Sequence, residues 1–138
     1  MQRFAIGIEF CGTHYRGWQT QQTGVISVQE TIEKVLSKIA NEPISLHGAG
    51  RTDAGVHALQ QVIHFETASV RSDYAWLLGT NSNLPTDISL RWIQPVGADF
   101  HARYGARARH YRYVIHNQRA RSALLYGRAT WWPQPLEA

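Results

Sequence analysis

A single cysteine, only two lysines and no long apolar run set the first limits on this chain of 138 residues. Cys11 stands alone, so an intrachain disulfide and a cysteine-based zinc site are both excluded. No apolar stretch approaches the roughly 20 residues that a membrane-spanning helix needs. Met1-Gln2-Arg3 leads straight into an alternating pattern, which does not read as a signal peptide. The expectation is a soluble, cytoplasmic protein. Acids are missing between Asp99 and Glu137, although Arg103, Arg107, Arg109, Arg112, Arg119, Arg121 and Arg128 all lie there. Repeats and low-complexity segments are absent as well.

What is present suits a folded domain. Apolar residues make up 43% and aromatics 11%, enough for a real core in a chain of this length. Net charge is +4, and with lysine confined to Lys34 and Lys38 nearly all of the cationic charge is arginine. Arginine binds phosphate bidentately and stacks on bases. Tyrosines and tryptophans interleave the C-terminal arginines (Tyr104, Tyr111, Tyr113, Tyr126, Trp131, Trp132), which points towards a nucleic-acid partner.

Residues 3–10 alternate, with Phe4, Ile6 and Ile8 to one side and Ala5, Gly7 and Glu9 to the other, as in a half-buried strand. Residues 11–24 read as an exposed loop around Tyr15-Arg16-Gly17-Trp18. That cluster suits an RNA contact, and Trp18 suits equally well a cap on the core edge. Ser27-Val28-Gln29-Glu30 is a capping box, after which Val28, Ile32, Val35, Leu36 and Ile39 share one helical face. The helix should end near Asn41, ahead of Pro43. Short strands are expected at 44–47 and 60–67. Ser72 caps a second helix from Asp73 to about Thr80, with Ala75, Leu78 and Trp76 as its inward side chains. A strand at 88–94 places Ile88, Leu90 and Trp92 on one side.

The order is β-α-β-β-α-β. It predicts an α+β fold: a ferredoxin-like unit with an antiparallel sheet and two helices on one face, a topology shared with RNA-recognition motifs. One further strand is expected at 108–117, in which every position from 107 to 113 except Ala108 is cationic, aromatic or imidazole. A structural strand has no need of that density, so a binding role is the better reading. The domain reading is a subdomain over 1–98, then a linker and basic strand over 99–138. Leu136-Glu137-Ala138 looks like the opening turn of a helix, and the chain reads as one half of something larger.

Between the second and third strands lies Gly48-Ala49-Gly50-Arg51-Thr52-Asp53-Ala54-Gly55-Val56-His57-Ala58. Three glycines in eight residues demand sharp turns or a close backbone approach. A cation, a hydroxyl and a carboxylate on such a loop make a candidate active site. An ordinary turn with Asp53 bonded to its own backbone is the competing reading.

The segment Gly50 to Ala58 resembles the catalytic loop of the TruA-type tRNA pseudouridine synthases. Tyr15-Arg16-Gly17-Trp18-Gln19, Ser27-Val28-Gln29, Asn83-Leu84-Pro85, Asp99-Phe100-His101-Ala102-Arg103 and Arg109-His110-Tyr111-Arg112-Tyr113 agree with the family in order and spacing. The resemblance is to the N-terminal half of that fold. It implies isomerisation of uridine to pseudouridine in the anticodon stem-loop of tRNA, at positions 38 to 40, without metal or organic cofactor. It implies that Asp53 is the catalytic carboxylate, that Arg51 helps to extrude the target nucleotide, and that Tyr111 packs against the flipped uracil. The tRNA contacts expected beside them are Arg16, Arg103, Arg107, Arg109 and Arg112. The family's members are homodimers with a second half that this chain lacks, so the chain alone is expected to be inactive. Two other classes remain open from the residues themselves. A non-catalytic RNA-binding module would explain the arginines and tyrosines but not the loop. A hydrolase built on Asp53 would want a second carboxylate, and none has an obvious claim.

Overall fold

In the computed structural model, which describes residues 1–21 and 24–137, the alternating run at the start of the chain becomes the centre of a sheet. Strand β1 (Gln2–Phe10) pairs antiparallel with β3 (Ala58–Thr67) on one side and β4 (Ile88–Val96) on the other. A two-residue β2 (His47–Gly48) adds outside β3, giving the order β2-β3-β1-β4. Helices α1 (Val28–Ala40) and α2 (Asp73–Asn83) cover one face. This is the expected ferredoxin-like βαββαβ unit.

The core follows from periodicity. Phe4, Ile6, Ile8 and Phe10 lie opposite Phe65, Ile63, Gln61 and Ala58 of β3, and the four β1 side chains face the helices. Val28, Ile32, Leu36 and Ala40 are buried along one stripe of α1. Trp76 of α2 is fully buried, its ring 5.9 Å from Phe4 and 5.5 Å from Phe65. The Ser27 hydroxyl accepts the Glu30 N–H at 3.1 Å, as a cap should, whereas the Glu30 carboxylate turns to Lys34. Asn41 ends α1 in the left-handed conformation with φ 55°.

Several local expectations change. Strand β1 is buried on both faces through Ala5 and Gly7, not half-buried. One cause is a strap at 100–104: Arg3 donates to the Phe100 carbonyl, and the Ala102 N–H donates to His64 Nδ1 at 3.0 Å. The other is Trp92. The register slips between Gly7 and Ile8, so Gly7 lies opposite Trp92 and Ile8 opposite Leu90. The bulge at Arg91 turns Trp92 to the face away from Ile88 and Leu90, because one extra residue reverses every later side chain. Residues 44–46 form no ladder. Ser37 Oγ takes the Ile44 N–H, Glu33 takes the Leu46 N–H, and Gln29 donates to the Leu46 carbonyl. In α2, Leu78 is exposed and Leu77 packs on the core instead.

The 11–24 segment, described apart from residues 22 and 23, is exposed at Thr13, His14, Arg16, Gln19, Thr20, Gln21 and Gly24 but buries Gly12, Tyr15, Gly17 and Trp18. Tyr15 and Trp18 belong to the core, so the core reading of Trp18 holds. Residues 136 and 137 form no helical turn, and Ala138 lies outside the described residues. The chain divides into two compact units, Met1–Arg107 and Ala108–Ala138. In the second, the long basic strand is reduced to β5 (Ile115–His116), paired parallel with β6 (Thr130–Trp131). A strand persists only where a neighbour takes its N–H and C=O groups, and the described residues supply that ladder for two positions alone. No helix among the described residues is long and apolar enough to cross a membrane.

Candidate active site

The loop between β2 and β3 is shaped by its own turn and by the segment after β1. Val56 N–H donates to the Asp53 carbonyl at 3.2 Å, closing a turn whose third residue is Gly55 at φ +82°. Only glycine takes that position without strain, which explains the Asp-Ala-Gly order. The turn leaves Asp53 exposed at its first corner, with Arg51 exposed two residues earlier. Gln61, buried in β3, donates from Nε2 to the Gly50 carbonyl at 2.8 Å and fixes the loop's entry. Trp18 stands over Gly48, where a Cβ would lie 2.6 Å from the indole nitrogen.

Residues 12–18 hold the rest. Gly12 N–H donates to His57 Nδ1 at 2.8 Å, Gly55 N–H to the Tyr15 carbonyl at 3.2 Å, and Trp18 N–H to the Thr52 carbonyl at 3.3 Å. These bonds flank Asp53 on both sides. They also place Arg16, exposed between Tyr15 and Trp18, beside the loop. The signal for His57 was its place just after the turn; its partner, 45 residues away in the chain, left none. Tyr15 is tied down in turn, donating its hydroxyl to Asp87 at 2.7 Å; burial, then that bond, pushes its phenol far above the ordinary range.

The other expected site residues fall in both units. Arg103 is exposed at the end of the strap, its guanidinium 5.7 Å from the Tyr104 ring centre. Arg107 is exposed at the end of the first unit. Arg109, Tyr111 and Arg112 belong to the second unit and are exposed, Tyr111 at 74%. That unit also contains a hollow of about 300 Å³ lined by His116, Arg121, Leu125, Tyr126 and Trp131.

One cluster was not expected. A ring nitrogen from each of His47, His64 and His101 lies within 4.8 Å of the others, on the sheet face away from the helices. Three imidazoles suit zinc in number. The proton positions on two of them do not. His64 Nδ1 accepts from Ala102 N–H, and His101 Nδ1 accepts from the Arg103 and Tyr104 N–H groups, both at 3.1 Å. Each neutral ring therefore carries its proton on Nε2, whereas a metal-bound histidine donates its second N–H to an acceptor. Burial, helped by His47, His101 and Arg3, lowers the His64 pKa to about 4 and keeps the ring neutral.

The model of the family described as tRNA pseudouridine synthase matches residues 6–105. The chain belongs to that family. The matched stretch holds the strap, the loop with Arg51 and Asp53, and the 12–18 segment. Relatives extend the likeness over the second unit. A protein named tRNA pseudouridine synthase A from Acinetobacter baylyi is 63% identical over 137 residues, covering 99% of this chain and 51% of its own. Its namesakes from Acinetobacter baumannii strain AYE and Cronobacter sakazakii are 61% and 57% identical, with 52% and 50% of their lengths covered. The chain spans about half the length of these curated relatives.

Proposed function

We propose that the chain is the N-terminal half of an enzyme that converts uridine to pseudouridine in the anticodon stem-loop of tRNA, at positions 38 to 40, with Asp53 as its catalytic carboxylate. The observation that carries this is the match over residues 6–105 to the family, with Asp53 exposed on a turn braced on both flanks. In the reaction the N1–C1′ bond breaks, the uracil turns, C5 bonds to C1′, the C5 hydrogen leaves as a proton, and N1 takes up a proton, so that the product is an isomer of the substrate. Asp53 supplies the anion that glycosidic cleavage needs close to the ribose or base. Arg51 fills the space left by the extruded nucleotide, whose unstacking costs a few kcal/mol. Tyr111 offers a π-face to the flipped uracil, worth about 1–3 kcal/mol. Arg16, Arg103, Arg107, Arg109 and Arg112 contact tRNA phosphates. The reaction needs no cofactor. The active form is a full-length homodimer, and the 138-residue chain alone is inactive.

The test is tritium release from C5-labelled uridine in tRNA, with the full-length protein and this chain side by side. Full-length protein should release label, and its Asp53→Asn variant should not. Release by that variant at the unaltered rate would remove Asp53 from the chemistry. Salt-dependent tRNA binding without any turnover would favour a binding module instead.

A further inference from the structure

The loop that bears Asp53 owes its shape to a second segment, and that segment is anchored to rigid elements. Residues 12–18 bridge three places. Towards α1, the Val28 and Gln29 N–H groups, which have no acceptor within the helix, donate to the Gly17 and Trp18 carbonyls at 3.2 and 2.9 Å. Towards the start of β4, the Tyr15 hydroxyl donates to the Asp87 carboxylate, and Cys11 N–H, just ahead of the segment, donates to the Asp87 carbonyl at 2.9 Å. Towards the loop run the three bonds from Gly12, to Tyr15 and from Trp18 described above. The contact is close enough to forbid side chains. A Cβ on Gly12 would lie 1.9 Å from the Val56 carbonyl oxygen, and one on Gly17 2.2 Å from that of Thr52. Gly17 also has φ +84°, which disfavours any other residue.

His57 is a side chain of the loop that takes part. Its Nδ1 faces a backbone N–H and must be the unprotonated nitrogen, so the neutral ring carries its proton on Nε2. We infer that the 12–18 segment is the positioning element for Asp53, and that His57 acts as a positioning residue through its Nδ1 bond to Gly12. His57 performs no acid–base step. The inference rests on Asp53 being the catalytic carboxylate. It adds that the carboxylate is placed from outside its own loop, by α1 and β4 acting through residues 12–18.

The experiment compares His57→Leu, His57→Asn, Gly17→Ala and Asp53→Asn in the full-length protein. It measures kcat and KM for tritium release, tRNA binding and melting temperature. His57→Leu and Gly17→Ala should lower kcat about 10- to 100-fold, the range in which ångström-scale misplacement acts. Their KM for tRNA should stay within about threefold, because an interaction felt only in the transition state shows in kcat. His57→Asn should keep kcat within about fivefold of the parent, since its Oδ1 replaces Nδ1 as acceptor for the Gly12 N–H. Unaltered kcat in both His57→Leu and Gly17→Ala would overturn the inference. So would His57→Asn as inactive as His57→Leu, with a limb lost from the pH–rate profile, because His57 would then be an acid–base group. An active Asp53→Asn would instead overturn the catalytic assignment, whatever the other variants do. The ring itself gives a reading that needs no variant. Long-range ¹⁵N–¹H correlation should show the Nε2–H tautomer at His57, and a proton on Nδ1 would refute the bond to Gly12.

Discussion

A Cβ on Gly7 would stand 2.2 Å from the Trp92 indole nitrogen, so one missing side chain decides how β1 and β4 pack on the face away from the helices. Gly7→Val should destabilise the chain by roughly 1–3 kcal/mol, seen as a lower urea midpoint at unchanged slope. Gly97→Ala should stay within about 0.5 kcal/mol, because its Cβ meets only the mobile end of exposed Asp99. The buried hydroxyl of Thr80 in α2 has no hydrogen-bond partner among the described residues. Thr80→Val removes an unsatisfied group while keeping the shape, and is expected to be neutral or stabilising by up to about 1 kcal/mol in the same assay. Neither feature is legible in the sequence. An alternating pattern says which side of a strand is apolar, not which distant side chain lies across it.

At the scale of elements, α1 was the most legible part of the chain because its signals are local. The cap at Ser27, the stripe from Val28 to Ala40 and the Asn41 ending all follow from nearby residues. Ser27 is fully buried and bonded to both Glu30 N–H and Thr20 Oγ1, so Ser27→Ala should cost about 0.5–2 kcal/mol in melting experiments. The strand expected at 44–47 kept only His47, in β2, for a reason local rules cannot reach: the backbone groups of Ile44 and Leu46 are taken by Gln29, Glu33 and Ser37 of α1. Trp92 failed similarly, through a bulge that only pairing with β1 reveals. The basic strand kept regular pairing at Ile115–His116 alone.

For the molecule as a whole, the face away from the helices carries a pH dependence. The His64 pKa falls from 6.5 to about 4, chiefly by burial, then by His47, His101 and Arg3, with Glu66 opposing. His101 shifts in the same direction, again chiefly by burial. In the window between those two values the unfolded chain binds protons that the folded one refuses, so stability falls as pH drops through it. The Glu42 and Glu66 carboxyls are lowered from 4.5 by their hydrogen bonds, led by Thr67 and Arg3 respectively, and add their own loss below that value. The urea midpoint should therefore be lower at about pH 5 than at about pH 7. His64→Asn, which keeps an acceptor for the Ala102 N–H, should flatten the difference. An equal slope in that variant would place the proton uptake elsewhere.

By itself the sequence determined the element order, the helix-facing core and the loop with Arg51 and Asp53, because each is written in spacing or in a contiguous motif. Tertiary structure decided what touches that loop. It buried Tyr15 and Trp18, set the Gly12 N–H against His57, turned Trp92 over, and gathered three histidines from β2, β3 and the strap. These are pairings between residues far apart in the chain. A hydrogen bond or a close approach depends on the positions of both partners, and a sequence read locally supplies one partner at a time.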